Sequence, residues 1–217
     1  MKKICFSFFC AVLLVVSSTV GAMIAEAAST KYVSGFWRSD FEKGVGYEGP
    51  MHLSTKGYSH STYEDATVSE FCIALYRDNV VFIHTHGNPG YFFLSPTVHV
   101  SASVLSEYSM PANSKLVYIS ACYAALTSSE SGNVCTALRN KGVQTVVAFK
   151  DSLTASSSSD GIHRYNSLVV YRLVCGDTIS DAMESALEQF LNEQTVEGRT
   201  WGADSYNIYG NLYTTIY

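Results

Sequence analysis

The sequence predicts an α/β fold, a three-layer sandwich whose mostly parallel central sheet is flanked by helices. Three observations carry this expectation. Val80–Ile83 and Leu116–Ile119 are short continuous apolar runs, and the segment from Val143 to Phe149 is nearly so, the pattern of strands buried on both faces. Segments of helical period separate and succeed these runs. Buried strands alternating with helices specify a layered structure around a largely parallel sheet.

At the N-terminus, Lys2 and Lys3 precede an apolar run centred on Phe8 to Val16, then small residues and an Ala25-Glu26-Ala27 cleavage pattern. Residues 1–27 are therefore expected to be a signal peptide, which implies bacterial-type export and secretion. The run is short for a membrane anchor, and Cys10 sits too early for a lipoprotein site. No stable membrane association is expected after signal removal. Residues 28–60 are rich in Gly, Ser and Tyr without helical period. They read as edge strands or a short propeptide, with Gly46 and Gly49-Pro50 as turns.

Residues 61–217 form the expected main domain. Val68, Phe71, Cys72, Leu75 and Tyr76 line one helix face, and Asp78-Asn79 ends it. Between the second and third buried strands, Ser131 to Asn140 reads as a helix closed by Arg139, Lys141 and Gly142. Ser159-Asp160 is the expected cap of a helix reaching Val174, stopped by Gly176. Thr178 and Asp181 mark a capping box for a last helix, whose face runs from Ile179 to Leu191. Gly210-Asn211 reads as a hairpin turn between two short strands.

Composition narrows the function. Of 217 residues, 47% are hydrophobic and 15% charged, which argues against disorder. The net charge is −5. Loss of Lys2, Lys3 and Glu26 with the signal leaves 12 basic and 18 acidic residues, hence −6, and argues against a nucleic-acid partner. Cys72, Cys122, Cys135 and Cys175 remain, too few for a disulfide scaffold. With one of them reactive, the other three allow one bridge at most.

Two segments at strand ends carry chemistry. One buried strand runs into His84-Thr85-His86-Gly87, another into Ser120-Ala121-Cys122-Tyr123. Ligand sites in such sheets lie at the carboxyl ends of the strands. A cysteine beside an imidazole can attack a carbonyl as thiolate and receive help with the leaving group. Backbone N–H groups, here of Gly87 and Cys122, can stabilise the resulting oxyanion. A cysteine at a strand end is otherwise a common core residue; the ordered pair of segments favours catalysis.

This order, strand–His–Gly then strand–Ser–Ala–Cys, resembles the caspase-like cysteine peptidases, which include clostripain, gingipains, metacaspases and the CHAT domains. The likeness runs from about Val80 to the C-terminus. Gly142 to Phe149 resembles the family's next strand, and Asp151 its downstream aspartate. Gly176 to Ala182 is similar to a family helix start, and Tyr206 to Asn211 to its closing strand, where Asn211 replaces an acid. The resemblance implies a Cys122–His86 dyad and oxyanion donors from Gly87 and Cys122. It further implies a protein or peptide substrate cleaved through an acyl-enzyme, without cofactor.

Specificity is less defined. Asp151 either lines a pocket for Arg or Lys, as an acid does in clostripain, or caps a loop. Metacaspases carry an aspartate two residues before the cysteine, a position held here by Ser120. Tyr123 and Phe92-Phe93 either shape a pocket or pack in the core. Two rivals stand beside the peptidase: a catalytically silent binding module of the same fold, and a zinc-binding hydrolase using His84, His86 and Cys122. The metal reading is the weaker, because Gly87-Asn88-Pro89 replaces the Asp and His of the metallo-hydrolase pattern. Oligomeric state is not legible.

Overall fold

The computed structural model describes residues 30–157, 160–193 and 200–217; the expected signal peptide lies outside them. Along the chain run β1 (Tyr32–Trp37), α1 (Gly44–Ser54), β2 (Ser59–Glu64), α2 (Val68–Arg77) and β3 (Val80–His84). Then come β4 (Gly87–Asn88), β5 (Tyr91–Phe93), β6 (His99–Ser101) and α3 (Ala102–Ser106), and after them β7 (Leu116–Ser120), α4 (Val134–Asn140) and β8 (Thr145–Phe149). The last elements are β9 (Ala155–Ser157), β10 (Asp160–Gly161), α5 (Ile162–Cys175), α6 (Ile179–Glu193) and β11 (Tyr206–Gly210). Six strands form the central sheet in the order β11-β8-β7-β3-β1-β2. All its pairings are parallel except that of β11 with β8.

The fold is thus the expected α/β sandwich, and the apolar runs explain its layers. Alternate residues of a strand face opposite sides. Val81, Ile83, Val117, Ile119, Val146 and Ala148 pack toward α2, α3 and α4. Val80, Phe82, Leu116, Tyr118, Val147 and Phe149 pack toward α1, α5 and α6. Thr67 and Glu70 form a capping box at the start of α2. Gly176, at φ 98°, closes α5 in the left-handed conformation as expected of its position.

Four local expectations are corrected. The segment 28–60 is not confined to the sheet edge: β1 lies between β2 and β3, with only β2 outermost, and the boundary at residue 60 falls inside β2. Gly46 and Gly49-Pro50 are not turns but part of α1, with Pro50 inside the helix. These glycines let α1 lie close on the sheet. A Cβ at Gly46 would sit 2.4 Å from the Phe36 carbonyl oxygen, and one at Gly49 2.6 Å from the Phe82 ring. Composition suggested turns where contact demands absent side chains.

The expected cap of α5 at Ser159-Asp160 is also displaced: Gly161, at φ 64°, occupies that position without a side-chain cap, and Ser159 lies outside the described residues. The C-terminal hairpin forms only its first strand. Beyond Asn211 the chain turns to α6, where Leu212 and Thr214 carbonyls accept from the N–H groups of Ser180 and Ile179. Those otherwise unpaired helix-start donors take the segment from strand pairing.

Candidate active site

The strand order reverses at β1 and β3: the chain leaves β1 toward β2 on one side, and β3 toward β7 on the other. Crevices of α/β sheets open at the carboxyl ends beside such a point. A cleft of about 270 Å³ lies there. His86 and Cys122 line it, and beneath them so do His84, Thr85 and Ser120. Phe41, from the loop after β1, and Leu153, Thr154 and Ile162, from beyond β8, complete the lining.

Register explains the stacking. His84 is the direct partner of Ser120 across β3 and β7. Two residues further along each chain stand His86 and Cys122, so one histidine lies beneath the other. The two segments touch through backbone: a Cβ at Gly87 would lie 2.4 Å from the Cys122 carbonyl oxygen and 2.9 Å from Ala121 Cβ. Gly87 is therefore required by contact with the cysteine loop. The N–H of Cys122 has no hydrogen-bond partner among the described residues, which leaves it available as an oxyanion donor.

Cys122 is half-buried, and its sulfur accepts from the Leu153 N–H at 3.2 Å while lying 3.7 Å from the Leu153 carbonyl oxygen. His86 makes no hydrogen bond to it among the described residues. Catalytic hydrogen bonds of ligand-free enzymes are often long and tighten around substrate. Phe41 packs on the His86 ring at 4.6 Å between centroids and on His84 at 4.9 Å. Burial, reinforced by the Arg38 guanidinium, holds the His86 pKa below the ordinary histidine value, while Asp40 pulls the other way. Arg38 and Asp40 form a two-bonded ion pair.

The layer below is neutral and fixed. The Tyr118 hydroxyl donates to Asn166 Oδ1 at 2.7 Å, and Asn166 Nδ2 donates to Ser120 Oγ at 2.8 Å. Ser120 meets His84 Nδ1 at 3.0 Å. The Ser120 hydroxyl, which accepts from Asn166, can donate to Nδ1, and in that tautomer the His84 proton sits on Nε2. Burial, then the neighbouring His163 and His86, lower the His84 pKa to about 3. His163 packs on His84 at 4.7 Å. Its Nε2 lies 3.0 Å from Glu42 Oε2, an ion-pair distance off the line of a hydrogen bond. Gly44 closes over both rings: a Cβ there would lie 2.7 Å from His84 Nε2 and 2.9 Å from His163 Nδ1.

Of the expected pocket residues, Ser120 alone lines the cleft. Asp151 is exposed, and its carboxylate accepts from the Ser152 N–H at 2.7 Å, which is the loop-capping role. Its backbone carbonyl accepts from Tyr123 N–H. Tyr123, also outside the cleft lining, sits at φ 57°, a conformation costly for an aromatic residue. Phe92 is fully buried in the core, and Phe93 lies under Arg38. Sequence reasoning missed Phe41, Leu153 and Ile162, because no local pattern tells which loop folds over a strand end.

Among the described residues, no group of three or more His, Cys, Asp or Glu side chains is placed to hold a metal ion. Cys72, Cys122, Cys135 and Cys175 are all free thiols. Burial raises the Cys72 pKa and pushes that of Cys135 up to about 12. None of the described helices is long and apolar enough to cross a membrane. No protein-family model matches the chain, and no curated protein is significantly similar to it.

Proposed function

We propose that the protein is a secreted cysteine endopeptidase of the caspase-like type, with Cys122 as nucleophile and His86 as acid–base. The observation that carries the reading is the shared cleft, which a half-buried thiol and an imidazole both line at the carboxyl ends of adjacent parallel strands. Cys122 Sγ attacks the scissile carbonyl carbon. His86 accepts the thiol proton and delivers it to the leaving amine, so the peptide C–N bond breaks and a thioester remains. The N–H groups of Gly87 and Cys122 hold the oxyanion. Water, deprotonated by His86, then adds to the thioester and releases the acid and the free thiol. No step uses a cofactor.

The test is a peptide-library cleavage profile of wild type against Cys122→Ala, with active-site labelling by a peptidyl acyloxymethyl ketone. Plain iodoacetamide is less selective here because Cys175 is also exposed. Cleavage that disappears in Cys122→Ala, with labelling confined to Cys122, is expected. Cleavage surviving in that variant sinks the assignment, and a folded wild type that neither cleaves nor labels points to the silent binding module.

A further inference from the structure

We propose that the cleft beside Cys122 is a specificity pocket for an uncharged, hydrogen-bonding side chain, with His84 and Thr85 as the selecting residues; this deepens the peptidase reading and rests on it. The residue whose carbonyl meets the Cys122 sulfur must place its side chain in the depression next to that sulfur. Among the described residues lining the depression, none is aspartate, glutamate, lysine or arginine.

Charged residues near the cleft do not line it. Arg38 is bound through two hydrogen bonds to Asp40, and neither these two nor Glu42 is among the lining residues. A cationic or anionic side chain would enter without a counter-charge, and a charge removed from water unpaired is strongly disfavoured. His84 cannot supply one, since burial keeps it neutral across the physiological range.

The pocket also favours polarity over plain apolar bulk. His84 Nε2 and Thr85 Oγ1 are buried and have no hydrogen-bond partner among the described residues, and both residues line the cleft. Unsatisfied buried polar atoms are costly. With Ser120 donating to Nδ1, His84 Nε2 is a donor; the Thr85 hydroxyl donates or accepts. A carboxamide or hydroxyl can pair with either, whereas an aliphatic side chain leaves both unpaired. Phe41, Leu153 and Ile162 provide the apolar walls against which its methylene groups pack. Asp151, the residue that would have selected Arg or Lys, stands outside this cleft.

A series of tetrapeptidyl acyloxymethyl ketones differing only in the residue next to the reactive group tests this, read as the rate of Cys122 modification by intact mass. Asn, Gln or Ser is expected to exceed Leu by about tenfold and Asp, Glu, Lys and Arg by on the order of 100-fold. Thr85→Val is expected to lower the Asn-to-Leu ratio about fivefold by removing one polar partner. Exposed Thr154, held through its backbone N–H and carbonyl, provides a variant that keeps the fold: Thr154→Asp should raise the Lys and Arg rates about tenfold. If Cys122 is modified fastest by a charged or a large apolar probe, or if Thr154→Asp leaves the Lys and Arg rates unchanged, the specificity inference falls and the peptidase stands. If no probe modifies Cys122 and no peptide is cleaved, the peptidase reading falls and takes this inference with it.

Discussion

At the scale of single residues, His86 works in an environment that disfavours its protonated form. Burial is the main cause, with the Arg38 cation second. In the proposed reaction the neutral imidazole takes the thiol proton, so activity is lost as pH falls through the His86 pKa. That acid limb is expected below pH 6.5, the ordinary histidine value. Arg38→Gln removes a cation and leaves Asp40 unpaired, and both changes favour protonation, so the limb should move to higher pH. A kcat/KM profile against pH for the two proteins checks the sign; a limb that stays put or moves down shows that the Arg38 charge is not felt. Cys122 illustrates another residue-scale lesson. Its neighbour Tyr123 holds a left-handed conformation, the kind of backbone strain that concentrates at functional sites, and no propensity argument would place an aromatic there.

At the scale of elements, the unexpected one is α1. Three glycines and a proline in eleven residues make a poor helix by propensity. Tertiary contact overrides that, because only a helix without side chains on one face can settle this close to β1 and Phe82. Gly49→Ala should therefore destabilise the protein by about 1–3 kcal/mol despite the better helix propensity of alanine, read as a fall in the urea midpoint at unchanged m-value. An unchanged or higher midpoint would mean that α1 has room to shift outward. The same contact matters to the cleft, since α1 begins at Gly44, against the rings of His84 and His163. By contrast α2 and α6 obey local rules. Thr67 with Glu70 caps one, Thr178 accepts from the Asp181 N–H in the other, and each buries most of the expected stripe, except that Tyr76 of α2 and Leu191 of α6 are exposed.

For the whole molecule, a buried neutral histidine couples stability to pH. The His84 pKa is about 3 in the folded protein against roughly 6.5 unfolded. The folded pKa is depressed, so below pH 6.5 the unfolded chain binds the proton that the folded chain refuses. The stability is complete above that value and declines toward pH 3, by up to about 1.4 kcal/mol per pH unit from this group. Urea unfolding at pH 7 and pH 5 should show a larger loss for wild type than for His84→Gln, which has nothing to titrate there. Equal losses in the two proteins would show that His84 is not the group responsible. The carboxylates contribute to both proteins alike, so the difference isolates the histidine.

Sequence determined the layers and the strand-end positions of Cys122 and His86. Val80 to Ile83 and Leu116 to Ile119 are apolar on both faces, so they had to be interior strands, and the residues just after an interior parallel strand lie at its carboxyl end. Most of the α2 and α6 faces and the α6 cap were legible because periodicity and short-range hydrogen bonds are properties of neighbouring residues; the α5 cap, set by tertiary contacts, was not. Tertiary structure alone decided that β1 enters the sheet beside β3 and that α1 is a helix. It also decided that Phe41, Leu153 and Ile162 wall the cleft while Asp151 and Tyr123 stand outside it. Those outcomes depend on contacts between residues far apart in the chain, where the fit of one surface against another overrides local preference. The pair at Cys122 and His86 was thus written in the strands, and the pocket beside it in the packing.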